Sequence, residues 1–159
     1  MLRVMGALAL SALFAAPAAT EPIRKEFGLW SAICKGPVAP SNCAILQGNA
    51  AQEDMSRWAK LFVQFNAFGE PEASIYVSPG AVGRYIGIRA DSEPNQRLSM
   101  RCTLSVCEGR PLNADWIGSI LDNKLLAIEY RTGEKEGFRF LLTISGLKEA
   151  IRYVTGEKT

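Results

Sequence analysis

The sequence contains no histidine. That absence removes the imidazole on which Ser-His-Asp and Cys-His nucleophilic mechanisms depend, along with histidine-ligated metal sites and pH switching near neutrality. A pair of carboxylates can do acid–base work without histidine, but no stretch of this chain sets up such a pair. An excess of charge is missing too: 18 Lys and Arg face 16 Asp and Glu. Setting aside Arg3 in the N-terminal leader leaves 17 against 16. A balance this close gives no electrostatic ground for binding nucleic acid or anionic lipid. Basic and aromatic residues are also not interleaved as single-stranded nucleic acid requires. Phosphate loops, dinucleotide fingerprints, HExxH, EF-hand and GxSxG signatures are all lacking, as are internal repeats and low-complexity tracts. No catalytic residue, cofactor or metal ligand is therefore assigned.

Long apolar runs are lacking after the first 20 residues. Residues 1–18 read as a signal peptide: Arg3 gives the positive start, Val4 to Ala16 the apolar run, and Ala16-Pro17-Ala18 the A-x-A site, with cutting expected after Ala18 or Ala19. The run falls short of the roughly 20 residues that span a bilayer comfortably. The expected location is periplasmic or secreted, with no transmembrane segment once the leader is removed.

Export changes how the four cysteines are read. An even number in an oxidising compartment suggests disulfides, and three pairings are possible. The local one, Cys34–Cys43 with Cys102–Cys107, is favoured because Gly36, Pro37, Pro40, Ser41 and Asn42 turn the chain in the first interval and Thr103 to Val106 in the second. In the chain-entropy picture, loops this short contribute roughly 2–3 kcal/mol each. The Cys102-x4-Cys107 spacing differs from the C-x-x-C of redox centres. The two-to-four-residue knuckle spacing of a zinc site is not present on both sides, since eight residues separate Cys34 from Cys43.

The body of the chain alternates with period 2. Phe27 to Cys34 and Cys43 to Gln47 are short apolar strands, and Asn49 to Arg57 is a polar loop. Trp58 to Phe68 is the longest strand signal, with Ala59, Leu61, Val63, Phe65 and Ala67 on one face and Trp58, Phe62 and Gln64 on the other. Ser74 to Ser78, Arg84 to Ala90, Arg97 to Cys102, Lys124 to Arg131 and Phe138 to Ile144 repeat the pattern. They are broken by Gly69-Glu70-Pro71, Pro79-Gly80, Ser92-Glu93-Pro94-Asn95 and Thr132 to Gly137. Two helix signals interrupt the strands. Asn113 can cap one that carries Trp116, Ile117, Ile120 and Leu121, and Ser145 can cap a last one with Leu147, Ala150, Ile151 and Val154. This is an all-β pattern: an antiparallel β-sandwich of about eight short strands with two short helices and two local disulfides. The expected layout is a leader (1–18), a flexible lead-in (19–26), one β-sandwich domain (27–155) and a tail (156–159).

Arg84, Arg89, Arg97 and Arg101 fall on neighbouring strands. They form either a solvated face that protects strand edges or a local patch for an anion or a partner. The 49–57 loop and the Cys34–Cys43 loop are further candidate surfaces. Phe62, Gln64 and Trp58 read as ordinary sheet packing, with ligand binding as the alternative. Asp91, Glu93, Glu134 and Glu136 are turn carboxylates that surface charge explains.

The order of these features resembles the invasion-associated locus B family of exported bacterial proteins. The marks are the leader, Phe27-Gly28-Leu29-Trp30 shortly before Cys34, Cys43-Ala44-Ile45-Leu46-Gln47, the pair Cys102 and Cys107, and the ending Phe138 to Ile144 followed by Ser145-Gly146-Leu147-Lys148-Glu149-Ala150. Leu29 departs from the pattern, since the family usually has an acidic residue there. The resemblance implies an envelope or secreted protein with the same disulfide framework and no defined catalytic residues. The expected function is a non-catalytic interaction module, linked to host-cell invasion or to the envelope, with a protein partner in the envelope or on a host surface. The alternatives are an envelope thiol-disulfide redox factor using Cys102 and Cys107, and a small-ligand carrier.

Overall fold

The computed structural model of the chain describes residues 21–91, 95–109, 111–133 and 136–157. The expected leader and its cleavage site, the turn residues 92–94, Glu134 and the last two residues of the tail lie outside them. Among the described residues the order is β1 (Ile23–Phe27), β2 (Trp30–Cys34), β3 (Cys43–Ala50), β4 (Trp58–Phe65), β5 (Pro71–Val77), β6 (Val82–Ala90), β7 (Gln96–Cys102), β8 (Cys107–Gly109), α1 (Ala114–Ile120), β9 (Leu125–Arg131), β10 (Gly137–Thr143) and α2 (Leu147–Thr155). The strands are antiparallel and hydrogen-bonded in the order β1-β2-β3-β4-β5-β8-β7-β6-β9-β10.

Alternation decides which way each strand faces. In β4, Ala59, Leu61 and Val63 are fully buried while Lys60 and Gln64 are exposed. In β9 and β10, Leu126, Ile128, Tyr130, Phe140 and Leu142 turn inward. One buried cluster takes Trp30, Ile45, Leu61 and Ile75 from the first strands and Ile86, Ile88, Ile128 and Leu142 from the later ones. The sheet is therefore folded over, with two wings (β1–β5, and β6, β9, β10) enclosing a single core. The short β8 and the β7 strand join the wings. Fully burying each such side chain stabilises by about 1.5–3 kcal/mol.

Polar tethers cross between the wings. Trp30 Nε1 donates to Thr143 O at 2.9 Å, and Asn49 Nδ2 donates to Leu141 O at 3.3 Å. The Tyr130 hydroxyl lies 2.7 Å from Ser78 Oγ and donates to Trp58 O at 3.2 Å. Two carbonyls at the end of β10 are thus satisfied by side chains of β2 and β3, which blunts that end of an edge strand. Burial raises the Tyr130 pKa above its ordinary value, against the lowering effect of these hydrogen bonds.

The all-β class, the two short helices and both local disulfides hold, and the differences have physical causes. The strands number ten among the described residues, not about eight, and form one continuous order in place of two separate sheets. The segment expected as a flexible lead-in contains β1, and the strand expected to begin at Phe27 is the second arm of a hairpin. Gly28, at φ +63°, opens the two-residue turn that sets Phe27 opposite Trp30. No periodicity announces β1, because Ile23 to Glu26 are all exposed. Backbone pairing holds it, together with Arg24 Nε on Glu26 Oε1 at 2.6 Å and Ser31 Oγ donating to Glu26 Oε2 at 2.7 Å. These bonds, Ser31 first and then Arg24, hold the Glu26 carboxyl below its ordinary pKa. The three-residue β8 is too short to read by periodicity. Asn113 caps α1 as expected, accepting from Trp116 N. Ser145 does not cap α2; that position falls to Gly146, at φ +96°.

Candidate functional site

The outward face of the second wing is built by register. Arg97 of β7 stands opposite Gly87 of β6, Gly87 opposite Glu129 of β9, and Glu129 opposite Arg139 of β10. One rung across four strands therefore carries arginines at its ends, a carboxylate at its third position and no side chain at its second. In the next outward rung, Arg89 stands opposite Ala127, and Ala127 opposite Leu141. The floor between the arginines is thus made of Gly87 and Ala127.

A bulge deepens this face. Between the pairs Val82–Arg131 and Gly87–Glu129, β6 advances five residues while β9 advances two. The surplus, which includes Gly83 at φ +100°, releases β6 from β9 while it stays paired to β7 at Tyr85 and Ile86. Bulges redirect side chains in this way. The result is an open concavity of about 610 Å³ with Arg84, Arg97, Arg131 and Arg139 on its walls, beside Tyr85 and Phe138. A second concavity of about 320 Å³ adjoins it through Arg139 and holds Arg89, Leu125 and Leu141.

Among the described residues, cations outnumber carboxylates along the groove. Arg139 Nε is 3.4 Å from Glu129 Oε1. Arg84, Arg89, Arg97 and Arg131 are exposed and form no ion pair among the described residues. Asp91, at the margin, is engaged by the backbone: its Oδ2 accepts from Lys124 N at 3.0 Å and Leu125 N at 3.1 Å. Guanidinium groups present rigid forks of donors matched to carboxylate and phosphate oxygens. The arrangement can therefore hold an anion with several charges.

Of the four arginines singled out from sequence, Arg84 and Arg97 share the larger concavity and Arg89 lines the adjoining one. Arg101 lies elsewhere. It is opposite Glu108 of β8, on the other half of β7, in a separate depression beside Pro111. Sequence reasoning missed Arg131 and Arg139. Their outward position was legible, since Arg139 alternates with Phe138 and Phe140. The pairing of β9 with β6, which brings them to the other arginines, was not.

The remaining candidates are structural in their contacts. A concavity of about 370 Å³ beside the Cys34–Cys43 loop includes Phe62 and Gln64, but Phe62 packs edge-on against Tyr76 at 5.2 Å between ring centroids. Trp58 lies under Lys60 Nζ at 4.7 Å. The polar loop is shorter than expected, because β3 runs to Ala50. It is pinned by Ala51 N donating to Arg57 O and by Arg57 Nη1 donating to Pro79 O. Hydrogen bonds from Ser56, with Arg57 nearby, hold the Asp54 carboxyl below its ordinary pKa.

Both disulfides join residues directly opposite in the last rung of a hairpin, Cys34 to Cys43 and Cys102 to Cys107. Cys34 and Cys43 are both buried; Cys107 is buried and Cys102 exposed. No group of three or more cysteine, histidine or acidic side chains that could hold a metal ion occurs among the described residues, and no helix among them is long and apolar enough to cross a membrane.

No protein-family model matches the sequence, and no curated protein matches it. Among solved structures, the crystal structure of invasion associated protein B from Bartonella henselae is similar, with a TM-score of 0.65 over 83% of this chain and 95% of that one. The two sequences are 16% identical, so what the likeness establishes is a shared fold: this chain is built on the same β architecture as invasion associated protein B.

Proposed function

We propose that the chain is an exported, non-catalytic interaction module of the invasion-associated locus B type. On this reading it binds a protein partner, in the envelope or on a host surface, through the outward face of β7, β6, β9 and β10. The observation that carries the reading is the concave face with four arginines that have no ion pair among the described residues. The shared fold supports the type. The leader signal and the two disulfides, which persist in oxidising compartments, support export. The non-catalytic part rests on the chemistry of a sequence without histidine. A carrier of small ligands needs an enclosed cavity between the wings, whereas the arginine-lined concavities open outward.

The test is crosslinking of the tagged protein in its native envelope, with mass spectrometry of the captured species. Reproducible capture of one protein, lost in an Arg84→Glu/Arg97→Glu variant that melts normally, supports the reading. Capture unchanged by that variant refutes it. The exposure of Cys102 favours a second reading, thiol-disulfide exchange. It predicts capture of many proteins through mixed disulfides that disappear in Cys102→Ser.

A further inference from the structure

We infer that the occupant of the arginine groove is an extended acidic segment of a partner polypeptide, with two carboxylates four residues apart and a neutral residue midway between them. The inference rests on the interaction-module reading and specifies its ligand. Arg97 and Arg139 lie at opposite ends of a four-strand rung. Three strand spacings separate them by about 14 Å. That is the backbone separation; a single small anion drawing both side chains inward would have to sit over the Glu129 carboxylate, which repels it. In an extended peptide, side chains on one side recur every second residue, so positions i and i+4 are about 13 Å apart. That separation matches the two ends of the rung.

The middle of the rung sets the second requirement. Gly87 contributes no side chain: a Cβ built there would be in ordinary contact with Glu129 Cβ at 3.5 Å and with Asn95 Oδ1 and Glu129 O at 3.7 Å, so a ligand side chain can take that place. Beside it stands the Glu129 carboxylate, which repels a like charge. The residue at i+2 is therefore neutral and fills the space over Gly87. Evenly charged polyanions such as sulfated glycans meet that carboxylate unfavourably. They also gain nothing from the apolar margins at Tyr85, Leu125 and Leu141, which are 52%, 40% and 45% exposed. A peptide that mixes acidic and apolar side chains uses both.

The test is fluorescence anisotropy with the oxidised protein, purified from cells expressing the full chain. The probe is a labelled peptide with the core Glu-Ala-Leu-Ala-Glu. Binding is expected to weaken several-fold in Arg97→Gln and at least tenfold in Gly87→Val, which fills the floor without changing charge, and to fall with added salt. Glu129→Gln is expected to strengthen binding several-fold, by removing the repulsion and freeing Arg139. A peptide with Glu at the central position is expected to bind more weakly than the parent despite its extra charge. Variants are compared only where their melting matches the parent protein. Absence of binding, a stronger complex with the all-acidic peptide or with heparin, or indifference to Gly87→Val would each overturn the inference. Failure of the peptide while envelope capture still depends on Arg84 and Arg97 would sink this ligand class alone; failure of both would sink the module reading as well.

Discussion

Replacing Gly146 by alanine tests how the two ends of the domain are locked together. Gly146 is the cap of α2 and has φ +96°. A Cβ at this position would stand 2.1 Å from Phe27 O and 2.9 Å from Phe27 C, with Trp30 Cδ1 at 3.4 Å. The obstacle is backbone, so no side chain can swing aside. Either the β1–β2 turn or the β10–α2 junction has to retreat by about 1 Å to restore ordinary contact distance. The positive φ costs roughly 1–2 kcal/mol for an L-residue. Retreat also loosens the Trp30 Nε1 bond to Thr143 O, which contributes about 1 kcal/mol, and the packing of a fully buried Trp30. Together these give a loss of about 3–5 kcal/mol, at the severe end for single substitutions. For a domain of this size that lowers Tm by roughly 10–20 °C. The assay is thermal and urea unfolding of the oxidised protein, with Gly156→Ala as control. Gly156 shares the positive φ, at +74°, but a Cβ there meets nothing within 4 Å. It should cost about 1 kcal/mol. Equal effects at the two glycines would refute the close-approach argument, since only the dihedral cost is common to both.

Two further outcomes are expected. Tyr130→Phe removes the hydroxyl that joins Ser78 Oγ and Trp58 O and should destabilise by about 1–3 kcal/mol through the unpaired partners it leaves, read by urea unfolding. Because burial raises the folded-state pKa of Tyr130, its contribution is complete below the unfolded value near 10 and is lost as pH rises from there through the folded value. The stability difference between wild type and Tyr130→Phe measured from pH 8 to 11 should therefore shrink at the alkaline end, and a growing difference would contradict the assigned cause. Graded reduction followed by alkylation and peptide mass spectrometry should open Cys102–Cys107, with one exposed sulfur residue, before Cys34–Cys43, in which both residues are buried. The reverse order would mean that the β2–β3 end opens more readily than its burial implies.

Much of this architecture could be read directly from the chain because alternation is a local signal. Ala59-x-Leu61-x-Val63 and Phe138-x-Phe140-x-Leu142 each declare an inner face without reference to any other strand, and Asn113 declares a helix start within three residues. What could not be read depended on something other than local polarity. β1 sets three charged residues between Ile23 and Phe27 and has no buried stripe; it is held by the ladder β2 offers and by Phe27 and Lys25 against the Tyr153 ring of α2. The Gly146 cap follows from the proximity of Phe27, more than 100 residues earlier. The site divides in the same way. Arg84, Arg89 and Arg97 were found because β6 and β7 are consecutive in sequence as well as paired. Arg131 and Arg139 were missed because β9 reaches β6 across β7, β8 and α1. Arg101 was included because its strand looks uniform, yet β7 serves two partners: its first half pairs with β6 and its second half with β8.

The same register explains how a chain of nearly balanced charge carries a basic site. The formal excess of +2 spread evenly would give no surface a directing field. Here the outward positions of β6, β7, β9 and β10 collect Arg84, Arg89, Arg97, Arg131 and Arg139 against a paired Glu129 and an engaged Asp91. Carboxylates elsewhere are spent locally, as with Glu26 on Arg24 and Ser31, Asp54 on Arg57, and Glu108 on Tyr76. Segregation, not excess, makes the field. Its reach is set by screening, with a Debye length near 8 Å at physiological salt, so it acts on a segment that enters the groove and not on a distant molecule. Exposed pairs contribute only about 0.2–1 kcal/mol each. A ligand touching three or four arginines therefore gains a few kcal/mol from charge, and the remainder of its affinity has to come from shape over Gly87 and the apolar margins. On that ground Gly87→Val, which leaves every charge in place, discriminates a shaped binding groove from a merely basic surface more sharply than any arginine substitution.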